Sequence, residues 1–268
     1  MNGNLTRMLC AAAAGIALTA PGADMAGAAG AIGFTARVPA PAAGPVPVTA
    51  YVASGFFHGT VTPIRTATNT ALQAIAVGTD PGAMAITPDG KAVYVIDAGG
   101  NHVTPIDTAT NTALKAIRVG ANPAAIAVTP DGRTVYVAGC HSGTVTPIRT
   151  ATNIARKAIK AGPCPDAVAI TPDGRTAYVA SRGASRVTPI RTATNTALKA
   201  IRVGSGPSAI AITPDGKKAY VANCHSGTVT PIRTATNTAR KAITVGACPE
   251  AIAITPDGKT ATRWGGTT

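Results

Sequence analysis

The tetrapeptide TPDG begins at Thr87, Thr129, Thr171, Thr213 and Thr255, and VTPI begins at Val61, Val103, Val145, Val187 and Val229. Both motifs recur at the same constant interval along the chain. A fixed period of this size restricts a chain to stacked or radial repeats, because each unit has a face that only its neighbours can bury. With aromatics at 3% of residues, that core has to be built from Ala, Val and Ile.

One period divides into four short strands. Residues 208–213 (SAIAIT) form strand a, and Thr213-Pro214-Asp215-Gly216 fits a type I turn, with Pro second and Gly fourth. Residues 218–223 (KAYVAN) form strand b, rich in β-favouring side chains. Cys224–Gly227 makes a hairpin loop, and residues 228–233 (TVTPIR) form strand c. Pro231 has no N–H, so it must stand where the ladder needs no donor. The polar TATNT loop at 234–238 then leads to strand d at 239–245. Taken alone, TNTALKAIRVG at 110–120 could pass for a capped helix, but turn signals every 8 to 12 residues favour strands. Four strands in each period of about 42 residues is the size of a β-propeller blade.

Tyr220-Val221-Ala222-Asn223 after ITPDGKKA resembles the YVTN-repeat family of β-propellers, as do the YV pairs at Tyr94, Tyr136 and Tyr178. The resemblance covers 48 to about 261. It departs at the Thr of YVTN, which is Ala or Ile here, and only Asn223 keeps the Asn. Such relatives are commonly seven-bladed. Five TPDG and five VTPI motifs predict about five four-stranded blades here. Thr49–Ser54 is expected to join the blade begun by Ala251–Thr255, so that strands from both termini close the ring and remove an exposed edge. TRWGGTT at the end breaks the repeat and competes for that place. A closed monomer is expected over a dimer that shares blades.

Arg7 followed by the apolar run 8–20 reads as an export leader, with Ala26-Gly27-Ala28 as its cleavage site. The run is too short to span a membrane. The expected layout is a leader at 1–28, a linker at 29–47, a propeller at 48–264 and a tail at 265–268. The protein is expected to be secreted or held at the cell surface.

The a–b and c–d connections fall on one face of a propeller and repeat almost unchanged. The b–c and d–a connections fall on the other face and vary. Phe56, Phe57, His58, His102, His141, His225, Asp166 and Glu250 all sit in these variable loops, and Asp97 ends a strand b. Function is carried disproportionately by loops on a rigid scaffold, so these nine residues mark the candidate recognition face. Relaxed drift of surface loops is the competing explanation.

The run CHSGTVTPIRTATN occurs at Cys140 and again at Cys224, and each Cys is followed 24 residues later by another, Cys164 and Cys248. In an exported chain four such Cys imply disulfides Cys140–Cys164 and Cys224–Cys248. The alternative is a pair of zinc sites, Cys140, His141, Cys164 and Asp166 matched by Cys224, His225, Cys248 and Glu250. Adjacent Cys and His cannot easily point at one ion, so no metal and no cofactor are expected.

Five of the eleven acidic residues belong to TPDG turns, and no GxSxG, phosphate loop or paired-carboxylate motif appears. The leading expectation is therefore a non-catalytic binding or surface-interaction module with no catalytic residues. The rivals are a propeller hydrolase, lactonase-like, using the variable face, and a polyanion binder. The net charge of +13 favours polyanionic partners such as nucleic acid, acidic cell-wall polymer or anionic membrane, and an anionic polymer or a protein is the expected ligand. With aromatics so scarce, sequence-specific reading of nucleic acid is not expected.

Overall fold

A computed structural model describes residues 16–19, 28–29 and 49–265. The rest of the expected leader, linker and tail lies outside the described residues. The architecture is all-β, a β-propeller of consecutive antiparallel sheets. In the fourth sheet Pro165–Ile170 is followed outward by Thr176–Ser181 and Arg186–Arg191, and Ala28–Ala29 pairs on its inner side. The second, third and fifth sheets repeat this order from Pro81–Ile86, Pro123–Val128 and Pro207–Ile212.

The TPDG segment turns as expected. Gly216 N–H donates to Thr213 O at 2.8 Å, and Thr213 Oγ1 and Lys217 N–H both donate to Asp215 Oδ1. Gly216 needs its freedom here, because its φ is +68°.

The outer strand is broken into two short pieces, Thr238–Ala239 and Ile243–Thr244, both paired to Thr228–Arg233. Pro231 explains the break. Arg240 N–H donates to Pro231 O at 2.8 Å, so residue 231 turns its backbone polar groups toward the outer strand. Proline has no N–H to offer in return, and the ladder lapses between the two pieces. Pro63, Pro105, Pro147 and Pro189 accept in the same way.

Adjacent blades are joined by a repeated latch. Each TATN asparagine takes a left-handed backbone, with φ of 51–53°, a conformation Asn tolerates better than most residues. In four of them the side-chain oxygen accepts the hydroxyl of the preceding blade's buried tyrosine: Tyr51 to Asn111, Tyr94 to Asn153, Tyr136 to Asn195 and Tyr178 to Asn237, at 2.6–2.9 Å. Burial pushes the Tyr94, Tyr136 and Tyr178 hydroxyls up to about 12. Around each latch packs an aliphatic cluster. Between the third and fourth sheets it holds Val145, Ile159, Val168, Val179 and Ile190.

The two ends differ from the expected closure. Thr49–Ser54 pairs with Ile16–Thr19, part of the expected leader, and Pro249–Ile254 pairs with Ala261–Gly265 in a separate sheet. The ends are therefore not joined in one blade. The reason is local: the TPDG turn at Thr255 folds the next residues straight back onto Pro249–Ile254, filling the edge that Thr49–Ser54 was expected to take. Ile243 is 49% exposed, whereas its counterparts Ile75, Ile117, Ile159 and Ile201 are 6–8% exposed. The strand Ala261–Gly265 in the adjoining sheet reads Thr262-Arg263 where the other sheets supply Tyr-Val.

Tyr136→Phe should lower stability by about 1 kcal/mol, the cost of leaving Asn195 Oδ1 without its donor. Tyr220, which makes no such bond among the described residues, should tolerate the same change within a few tenths. Urea unfolding of both variants checks the latch, and equal effects would remove it from the account.

Candidate active site

The d–a loops set the geometry of the variable face. One position recurs once in every repeat with a left-handed backbone, occupied by Asp80, Asn122, Cys164, Gly206 and Cys248. Its carbonyl accepts an N–H from the b–c loop of the next blade. The donors are Ala98, Cys140, Arg182 and Cys224. Each b–c loop is thereby held against the d–a loop entering its blade.

Both expected disulfides form, Cys140–Cys164 and Cys224–Cys248. Each links a blade's b–c loop to the loop entering the following blade, and closing a loop of this length contributes about 3 kcal/mol in the chain-entropy account. The sulfurs are therefore not free as thiolate ligands, and the two zinc sets do not assemble. Among the described residues no three His, Cys, Asp or Glu side chains converge as metal donors.

The nine candidate residues do not form one cluster. Phe56 and Phe57 meet edge to face at 5.2 Å and stand 56% and 76% exposed in the first sheet's loop, beside exposed His58. His141 and His225 are exposed next to their disulfides. The His225 ring lies against Gly206, where a Cβ would come within 2.6 Å, so glycine is required there. Glu250 Oε1 lies 3.8 Å from Cys248 Sγ, a contact only, because a disulfide sulfur has no proton to donate.

Asp97 and Asp166 have different surroundings. Asp97 is 1% exposed. Gly78 N–H donates to its Oδ1 at 3.1 Å and Thr104 Oγ1 to its Oδ2 at 2.5 Å. Burial raises its pKa; those two hydrogen bonds and the charge of His102, its cross-strand partner, pull the other way. Asp97 thus ties a d–a loop to the blade that follows. Asn223 stands at the same place in the repeat, and its Nδ2 donates to Thr230 Oγ1 at 2.9 Å. Its Oδ1 is buried without a partner among the described residues.

Asp166 is the second residue of strand Pro165–Ile170 in the fourth sheet, with its side chain 26% exposed. Its Oδ2 lies 3.5 Å from Arg182 Nε, in the b–c loop of the same blade. Desolvation raises the Asp166 pKa and the Arg182 charge lowers it. The pair offers a carboxylate that can take a proton beside a cation with further N–H groups, open to solvent on the variable face. Arg182 was not among the residues expected. Its signal was positional: it holds the place in the repeat that Cys140 and Cys224 hold in theirs.

The comparisons correct the expected function. A family model described as "Lactonase, 7-bladed beta-propeller" matches residues 141–247, a stretch that contains Asp166 and Arg182. A comparison with curated proteins finds no match. Among solved structures, a candidate 6-phosphogluconolactonase from Bacteroides fragilis is 18% identical over 80% of this chain and 73% of its own, with a TM-score of 0.66. Another, from Bacteroides uniformis, is 17% identical over 80% and 74%, also at 0.66. Hydrazine synthase from Kuenenia stuttgartiensis is 20% identical over 80% and 88%, at 0.55. The structural likeness establishes the propeller fold. The family match overturns the non-catalytic reading and the expectation that the chain is not an enzyme. The expectation rested on the lack of linear motifs, and a propeller's loops can bring reacting groups together without one.

Asp97→Asn should keep a hydrogen bond to Thr104, as Asn223 does to Thr230, and remove a buried charge. The folded chain holds the Asp97 proton to higher pH than the unfolded chain does. Wild-type stability should therefore fall relative to the variant as pH rises from the unfolded to the folded pKa, and the gap should then stay constant. Urea midpoints of both proteins across the acid range measure it, and parallel profiles would contradict a buried, destabilised carboxylate.

Proposed function

We propose that the protein is a hydrolase of lactones acting on its variable face, with Asp166 as general base and Arg182 as the cation that receives developing negative charge. The observation that carries this reading is the lactonase-propeller match over 141–247, which spans the one ion pair on that face among the described residues. The TPDG and YV repeats support a YVTN-type variant of the propeller.

In the proposed reaction the Asp166 carboxylate takes a proton from water as the water oxygen attacks the ring carbonyl. The carbonyl oxygen becomes an oxyanion, and an Arg182 N–H stabilises it. The ring C–O bond then breaks and the alkoxide takes back a proton, giving a hydroxy acid. The first substrate to test is a phosphorylated sugar lactone, the class named for two of the structural neighbours. The apolar leader sequence and the two disulfides support an exported enzyme. Among the described residues no helix is long and apolar enough to cross a membrane.

Asp166→Asn should lower kcat/KM for lactone hydrolysis by roughly 10²-fold or more, while Asp97→Asn stays within a few-fold. Because Arg182 lowers the Asp166 pKa, Arg182→Gln should move the acid limb of the pH profile to higher pH as well as reduce turnover. Full activity in Asp166→Asn, or an unmoved acid limb in Arg182→Gln, would reject this assignment.

A further inference from the structure

The outer rim carries a charge that lactone hydrolysis does not use. The outer halves of the third, fourth and fifth sheets, residues 144–160, 186–202 and 228–244, hold eleven Lys and Arg and no Asp or Glu. All eleven are exposed, and none forms an ion pair among the described residues. The corresponding stretch of the second sheet, 102–118, holds two cations and Asp107, and that of the first, 60–76, holds Arg65 alone. The charge is therefore concentrated on three successive blades. On the TPDG edge, by contrast, Lys91, Arg133, Arg175 and Lys217 each lie within 4.0 Å of their own turn's aspartate.

Like charges also face one another across the strands. Arg186 stands opposite Arg202, and Lys218 opposite Arg233. Such pairs are destabilising, and a bound anion relieves them. We infer that this rim binds a linear polyanion through its backbone charges. A propeller rim is convex, so a flexible polymer can follow it across three blades, whereas a flat bilayer meets it along only a narrow line. Four of the five tyrosines are buried, and the exposed phenylalanines belong to the first sheet's loop. With no aromatic surface for stacking on these segments, binding should depend on charge and be indifferent to monomer identity.

The test uses the full chain and long-chain inorganic polyphosphate, titrated across a salt series. The logarithm of affinity should fall linearly with the logarithm of salt concentration. The triple variant Lys157→Gln, Lys199→Gln, Lys241→Gln, one change per blade, should bind at least about ten-fold more weakly at low salt. Its salt slope should be shallower by about 2, since each lost phosphate contact removes about 0.7. A charge-matched control, Lys91→Gln, Arg133→Gln, Lys217→Gln on the TPDG edge, should change affinity less than about two-fold. Polyphosphate should raise the wild-type Tm more than that of the rim variant. Lactone turnover of the rim variant should equal wild type, so this inference and the hydrolase reading can fail separately. Equal losses in the two triple variants, binding indifferent to salt, or tighter binding to phosphatidylglycerol vesicles than to polyphosphate would each overturn it.

Discussion

The hydrogen bond from a tyrosine in one blade to the turn asparagine of the next is the constraint on which the array depends. It acts at both ends of the contact. The asparagine must hold a left-handed turn to present its oxygen, and the tyrosine must be buried to reach it. A buried hydroxyl without a partner would be costly, so each blade becomes stable only when the next is in place. A chain poor in aromatics commits four of its five tyrosines to this one task. Val and Ile fill the space around them, and the blades join through small, repeated contacts rather than one large core.

A scaffold held from the TATN side leaves the opposite face free to vary. There the same backbone position is Asp, Asn, Cys, Gly or Cys in successive blades: the left-handed conformation is the shared requirement, and only Gly206 is further restricted, by the His225 ring. Two of those choices became disulfides. Asp97 closes the equivalent seam with a carboxylate, whereas in the fifth sheet Thr230 takes the Gly204 N–H and Asn223 holds Thr230 with its amide. The Asp166 and Arg182 side chains face each other within one blade, where only the Arg182 backbone N–H takes part in the seam, so their charges remain open to an incoming molecule. The rim charges lie on a third surface, and the fold allows chemistry, blade locking and polymer binding to sit on different edges.

Much of this was legible in the repeat. The period placed the strand before each TPDG turn, the turn itself and both disulfides, because each depends on residues close in sequence or fixed by the spacing; it did not place Ile16–Thr19 or Ala28–Ala29, which lie outside the repeat. Pro231 was correctly seen as needing no ladder partner, but its effect on the outer strand was not: breaking that strand depends on which neighbour the missing N–H faces. The pairing of the ends was misread, since Ala261–Gly265 lacks the repeat pattern yet needs only a tight turn to reach its partner. Asp166 stood among the expected residues, but its partner Arg182 did not, for a related reason. Asp166 and Arg182 lie on either side of strand Thr176–Ser181, and only the folded blade makes them neighbours.

The central claim is that the Asp166–Arg182 pair forms the reacting site of a lactone-cleaving propeller. The most direct measurement is a crystal structure of the full chain with a non-hydrolysable lactam analogue of the substrate. The account predicts the lactam on the variable face, its carbonyl oxygen within hydrogen-bond distance of Arg182 and its carbonyl carbon within one water of Asp166. A lactam bound on another face, or making no contact with either residue, would contradict it.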